Sequence, residues 1–333
     1  MTSNDISVKA KRSSNFELLR IICMILIIAH HFSLHSAFSD DINGFNSAII
    51  KLFGAFGKVG VNVFVLISGY FLVESKFKAR RLINVVALTV FYSVATYLSV
   101  TLFTSKDFVF SDFVHTFFPI YYDEYWFVKC FVALSLLSPF INKMLHALTR
   151  SQHALLIALL LLMQVCSWRT ISYYSFSKTG WFITLYIIAA YVRLYPNKIF
   201  DNKLISGISF IGFSALTVWL SNPRLESDLF CLSASISLFC LFKSINIKSC
   251  KAINMLGRTA FGIYLIHDSK IVRPRLWNTI LKTPIHTHLG TFWLYAILCV
   301  LIVFIACVLI ELVRIFGLYL IKKAALHIRA RRI

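Results

Sequence analysis

Arg20 and His31 stand in the first long apolar run, residues 16–36, where an ionisable side chain is costly unless it is buried in protein or faces water. They stand eleven positions apart. At about 100° per residue the two side chains fall within about 20° of one helix face, roughly 16 Å apart along the axis. A guanidinium can hold a phosphate through paired hydrogen bonds. An imidazole can act as general base or transient nucleophile near neutral pH. One polar stripe therefore joins an anion-binding group to a base. His30 is rotated about 100° from His31 and is the second candidate for the catalytic position, with packing or support of His31 as its other use.

The elements that hold this stripe are membrane-like. The chain is 58% hydrophobic and 15% aromatic with 14% charged residues, which excludes an ordinary soluble domain. Ten apolar runs approach the length needed to cross a bilayer: 16–36, 53–73, 82–103, 126–146, 153–168, 181–194, 204–220, 229–242, 255–267 and 291–319. The sixth, eighth and ninth are short and draw on flanking residues or local thinning. The expected fold is all-α: a polytopic bundle of about ten transmembrane helices with both termini cytosolic. Residues 1–15 form a short cytosolic leader, 16–320 a single membrane domain, and 321–333 a basic cytosolic tail.

Net charge of +20 does not signal nucleic acid, because the basic residues are scattered between apolar runs rather than gathered with exposed aromatics. With the N-terminus inside, about 21 loop lysines and arginines fall on the cytosolic side against about 9 outside, the bias of positive-inside topology. This places Arg20 near the cytosolic face and His31 in the outer half. Lys9, Lys11 and Arg12 precede the first run, whereas Asp40, Asp41, Glu226 and Asp228 lie in outer loops. The basic tail touches membrane lipid. The eight cysteines show no CxxC spacing, so neither a zinc site nor a disulfide framework is expected. The aromatic, acidic stretch 107–125 is too polar to span and fits an interfacial element.

In the second run Gly54, Gly57 and Gly60 allow close helix packing, and Ser68 comes level with Arg20. Lys78, Arg80 and Arg81 then form a basic loop that can bind phosphate or fix topology. Lys58, Glu124, Trp126, Lys129, His267 and Asp268 lie toward the outer face and are candidates for an acceptor side near His31.

The Arg20-x10-His31 spacing is followed by Gly60-Val-Asn-Val-Phe-Val-Leu-Ile-Ser-Gly-Tyr-Phe-Leu72 and the basic loop. Further on come the run from Tyr125-Trp-Phe to Ser138-Pro-Phe-Ile-Asn142 and Gly257-Arg-Thr-Ala-Phe-Gly-Ile-Tyr-Leu-Ile-His-Asp268. In this order they resemble the membrane acyltransferase-3 family, in the branch that O-acetylates cell-surface polysaccharides of Gram-positive bacteria. The resemblance implies ten membrane helices in the cell membrane. It also implies transfer of acetyl from cytosolic acetyl-CoA, without a metal, to a hydroxyl of a capsular-type glycan or its lipid-linked precursor. Arg20, Ser68, Lys78, Arg80 and Arg81 would meet the CoA, and His31 the acetyl group or acceptor hydroxyl. Where the family often shows Arg-x-x-Arg, this chain has Lys78-x-x-Arg81. The alternative from a different class is a transporter of a glycan lipid or small anion, with Arg20 and His31 lining its path.

Overall fold

The computed structural model describes residues 13–39, 42, 44–104, 106–170, 178–219 and 229–330. Among these the chain is helical, with eleven α-helices and no strand. They are α1 Ser14–His35, α2 Gly44–Leu72, α3 Ala79–Phe103, the short α4 Phe110–His115, α5 Trp126–Ala147, α6 Arg150–Thr170, α7 Lys178–Leu194, α8 Lys203–Trp219, α9 Leu229–Ser244, α10 Lys251–His267 and α11 Phe292–Ala330. A π-helical turn, Arg275–Ile280, and a 3-10 turn, Thr283–His286, connect the last two.

Five helices, α1, α2, α3, α5 and α11, are long and apolar enough to cross a membrane, and α8 and α9 are shorter apolar helices. All ten predicted runs are helical, and the stretch 107–125, expected as an interfacial element, contains the short helix α4. Boundaries differ where polar residues interrupt hydropathy without interrupting the helix. The second run was expected from residue 53, yet α2 begins at Gly44, because Asn46, Ser47 and Lys51 lower hydropathy but do not break a helix. For the same reason α10 begins at Lys251 and α11 continues to Ala330, through most of the expected tail. Lys9, Lys11, Arg12, Asp40, Asp41, Glu226 and Asp228 lie outside the described residues.

Contacts between helix ends fix their directions. Phe16 near the start of α1 meets Tyr70 and Phe71 at the end of α2, while His30 meets Gly54, so α1 and α2 are antiparallel. Ser14 bonds Asn254 and His31 bonds His267, so α10 runs parallel to α1. Asn142, late in α5, donates to Leu72 O, whereas Tyr125 before it donates to Leu265 O. Around this frame α1 packs on α2, α9, α10 and α11. Large apolar side chains are exposed along α11, including Leu298, Ile302, Ile305 and Leu309, and along α8. Such a surface suits lipid.

Asn62 and Ser138 show how polar groups inside the bundle find partners, as a low-dielectric interior favours. Asn62 of α2 donates to Ser235 Oγ of α9 at 3.2 Å and accepts from Trp181 Nε1 of α7 at 3.0 Å. Pro139 interrupts α5, removing the N–H that would serve the Ser135 carbonyl. The Ser138 hydroxyl donates to that carbonyl at 2.8 Å.

Close approach of α1 and α2 depends on Gly57. A Cβ there would lie 1.9 Å from His30 Cβ. Gly57→Ala is expected to destabilise the protein by about 1–3 kcal/mol through overpacking. At Gly207 of α8 nothing lies within 4 Å of the added carbon. Gly207→Ala should therefore be neutral or stabilising by up to about 1 kcal/mol. Thermal unfolding in detergent checks both, and equal melting temperatures for the two variants would overturn the packing argument.

Candidate active site

The C-terminal ends of α1 and α10 bring together His31, His35, His267 and Asp268. His31 Nδ1 lies 2.9 Å from His267 Nε2, and His267 Nδ1 lies 2.6 Å from the Ile263 carbonyl one turn earlier. A carbonyl only accepts, so His267 Nδ1 carries a hydrogen; in the neutral ring its Nε2 accepts, and His31 Nδ1 donates to it. This leaves His31 Nε2 with a free lone pair and no protein partner among the described residues. The backbone thus sets the tautomer of His267, and His267 sets that of His31.

Asp268, fully buried, supplies negative charge beside this pair. Its Oδ1 is 3.4 Å from His31 Nδ1, 3.7 Å from His35 Nε2 and 2.8 Å from Arg273 Nε. A carboxylate so placed stabilises the imidazolium that forms when Nε2 takes a proton, while Arg273 keeps the carboxylate ionised. His31, His35 and Asp268 also bring one ligand atom each within 4.8 Å, a spacing at which a metal ion can be held. Arg273 already gives that carboxylate its positive partner.

His31 faces a cavity of about 500 Å³ enclosed by α1, α2, α3, α5 and α10. Its middle is apolar, walled by Ile27, Phe64, Phe127, Phe131 and Phe261. At the end remote from His31 stand Arg20, Arg81, Arg258 and Glu17. The Arg20 guanidinium lies 2.8 Å from Glu17 Oε1 and is partly exposed, and Arg81 and Arg258 are exposed. Three guanidinium groups against one carboxylate give this mouth an excess of positive charge, which attracts anions. A second cavity of about 140 Å³ continues it past Arg81, Val85 and Phe131 to Lys76 and Lys78. Trp126 lines the His31 end, with Lys178 Nζ 4.4 Å and Lys58 Nζ 5.9 Å from its ring.

The sequence candidates therefore separate. Arg20, His31, Ser68, Arg81 and Trp126 line one cavity, Lys78 its annex, and His267 and Asp268 lie directly behind His31. The Ser68 hydroxyl donates to Phe64 O at 2.9 Å, so toward the cavity it accepts rather than donates. Five residues stand elsewhere, among them Lys58, which approaches the Trp126 ring without lining either cavity. His30 Nδ1 is bonded to Gly54 O at 2.7 Å and its ring fills the α1–α2 contact, so it packs instead of facing the cavity. Lys129 is exposed beside Asp123 at 3.3 Å, two residues and so about 200° beyond Phe127. Glu124 belongs to a separate cleft, and Arg80 is exposed in the first turn of α3 without lining either cavity. Glu17, His35, Arg258 and Arg273 were not singled out for the site from sequence. Arg258 carried a readable signal: it is a lone cation within an apolar run, as Arg20 is.

If His31 is the base, His267 positions it, since His267 reaches the cavity only through His31. Replacing it with alanine should lower turnover by roughly 10- to 100-fold, less than loss of the base itself, and alter the pH profile. His267→Gln, which can still accept at the same depth, should restore part of the rate. An unchanged pH profile in the alanine variant would overturn this role.

Comparison with curated proteins and with solved structures gives no match. A family model described as an acyltransferase domain, of the acyltransferase-3 type, matches residues 13–311, a stretch that contains every residue of the cavity and of the histidine cluster. By that match over nearly its whole length, the chain belongs to the acyltransferase-3 family.

Proposed function

We propose that the protein is an integral membrane O-acetyltransferase that moves acetyl from cytosolic acetyl-CoA to a hydroxyl of a cell-surface, capsular-type glycan or its lipid-linked precursor. The observation that carries this reading is the single cavity with three arginines at one end and the free Nε2 of His31 at the other. In this reading the ten long helices all cross a bacterial cell membrane, with both termini cytosolic. The arginine mouth then opens to the compartment that holds the donor.

The CoA phosphates and nucleotide sit at Arg20, Arg81 and Arg258, with Lys78 and the N-terminus of α3 beside them. The slender pantetheine arm runs between Phe127, Phe131 and Phe261 toward His31. The roughly 16 Å from Arg20 to His31 along α1 is of the scale of such an extended arm. His31 Nε2 accepts the proton of the acceptor hydroxyl as its oxygen attacks the thioester carbonyl. The C–S bond breaks, and the CoA thiolate recovers the proton from Nε2–H. Asp268 stabilises the imidazolium between these events.

The test is release of free CoA by purified protein given acetyl-CoA, together with O-acetylation of the cell-surface glycan followed by NMR. Acetylation that requires this chain supports the reading. Movement of a glycan lipid or anion with no dependence on acetyl-CoA would replace it with transport.

A further inference from the structure

Two cavities on the outer flank play no part in the site above, and they share a wall. The first, of about 900 Å³, is a mainly apolar groove between α3, α11 and the π-helical turn Arg275–Ile280, lined by Ala95, Val100, Phe103, Leu276 and Ile310. It extends along α3 from Tyr92 to Thr104, about 18 Å at 1.5 Å per residue. The second, of about 530 Å³, is a polar cleft roofed by α4, with Asp112, His115, Tyr122, Glu124 and Lys270 in its walls. Lys106 and Arg275 line both.

A molecule that fills both spaces needs an apolar tail, an anionic joint and a polar head. We propose that this double cavity binds a single-chain lipid phosphate carrying a sugar: tail in the groove, phosphate at Lys106 and Arg275, sugar in the cleft. This rests on the acyl-transfer reading and names its acceptor as lipid-linked. Both cations are available at the junction. The Lys106–Asp112 contact is loose at 3.6 Å with both groups partly exposed, and Arg275 commits Nη1 to the Ile271 carbonyl at 3.2 Å, leaving the rest of its fork. The groove runs lengthwise beside α3, a shape that suits an extended chain. Carboxylates, an imidazole and a tyrosine in the cleft supply the hydrogen-bonding and ring surfaces that hold a sugar.

Its position fits the same purpose. Ser269, in the cleft wall, donates to Glu124 Oε1 at 3.0 Å, and Lys270 N donates to the same oxygen at 2.7 Å. The residue before Ser269 is Asp268, 3.4 Å from His31. The head end of the double cavity thus abuts the histidine cluster.

The test measures retention of farnesyl phosphate, farnesol and phosphatidylglycerol on the purified full-length protein by native mass spectrometry. Wild type should hold farnesyl phosphate about tenfold better than farnesol, reflecting charge-assisted bonds to the phosphate, and better than phosphatidylglycerol, whose second chain the proposed single-chain site leaves outside. Lys106→Gln with Arg275→Gln should remove that preference, while Ser99→Trp, which fills the groove, should weaken farnesyl phosphate and farnesol alike. Equal retention of farnesyl phosphate and farnesol, equal retention of phosphatidylglycerol, or an unaltered double variant would each overturn the proposal. Acetyl-CoA binding on the same samples separates the two readings. Donor binding without farnesyl phosphate preference sinks the lipid-linked acceptor alone, whereas absent donor binding sinks acyl transfer.

Discussion

His31→Ala is expected to cut acyl transfer by about 10²- to 10⁴-fold, the usual worth of a positioned general base, while acetyl-CoA still binds. The imidazole sits at the end of the cavity opposite the arginines, so its removal leaves the anion mouth and the aromatic walls intact. His267 loses its donor at Nε2 but keeps its bond to the Ile263 carbonyl, and Asp268 keeps Arg273, so each retains one partner. Donor affinity should therefore change little and the loss should fall on kcat, as for an interaction used only in the transition state. Glycan NMR on cells carrying the variant, with donor binding measured on purified protein, checks both halves. Full acetylation would remove His31 from the mechanism. Loss of donor binding and melting together would show that His31 holds the bundle instead.

The second large effect lies at the other end. Arg81→Ala combined with Arg258→Ala should raise the KM for acetyl-CoA by about 10²-fold or more, at about 1.5–3 kcal/mol per charge-assisted bond. Arg20 alone would remain, and Glu17 at 2.8 Å offsets its charge. Because Arg81 and Arg258 are exposed, the fold should tolerate their loss. Arg80→Ala is the internal control: it stands one residue from Arg81 and outside both cavities, so its KM should stay near wild type. A double variant with unchanged KM, or an Arg80 variant as impaired as the double, would overturn the assignment of the mouth to the CoA phosphates.

The parts of this structure that were legible in the sequence are those written in local pattern. Apolar runs announce helices because lipid and core make the same demand, and Arg20 and His31 declare themselves by their cost in such a run. Boundaries were less legible, since Asn46, Ser47 and Lys51 lower hydropathy without ending a helix, as the extended start of α2 shows. Partnership between distant segments was not legible at all. His31 and His267 are 236 residues apart, and only the parallel packing of α1 and α10 brings His31 Nδ1 to 2.9 Å from His267 Nε2. Lys129 was placed near the site by depth alone. Depth fixes a level in the bundle but not an azimuth, and two residues of rotation carry Lys129 to the surface.

The line of bonds from His31 through His267 ends on the Ile263 carbonyl, and a peptide carbonyl is a terminus for protons. Nothing received at Nε2 can be handed on through the far side of the ring, and Arg273 keeps Asp268 from taking it. The hydrogen must leave by the atom at which it arrived. In the proposed reaction it goes to the departing thiolate, so each turnover is electrically silent across the bilayer. An acetyltransferase built in this way would neither draw on the proton-motive force nor dissipate it, and its rate should be indifferent to an uncoupler that collapses the membrane potential.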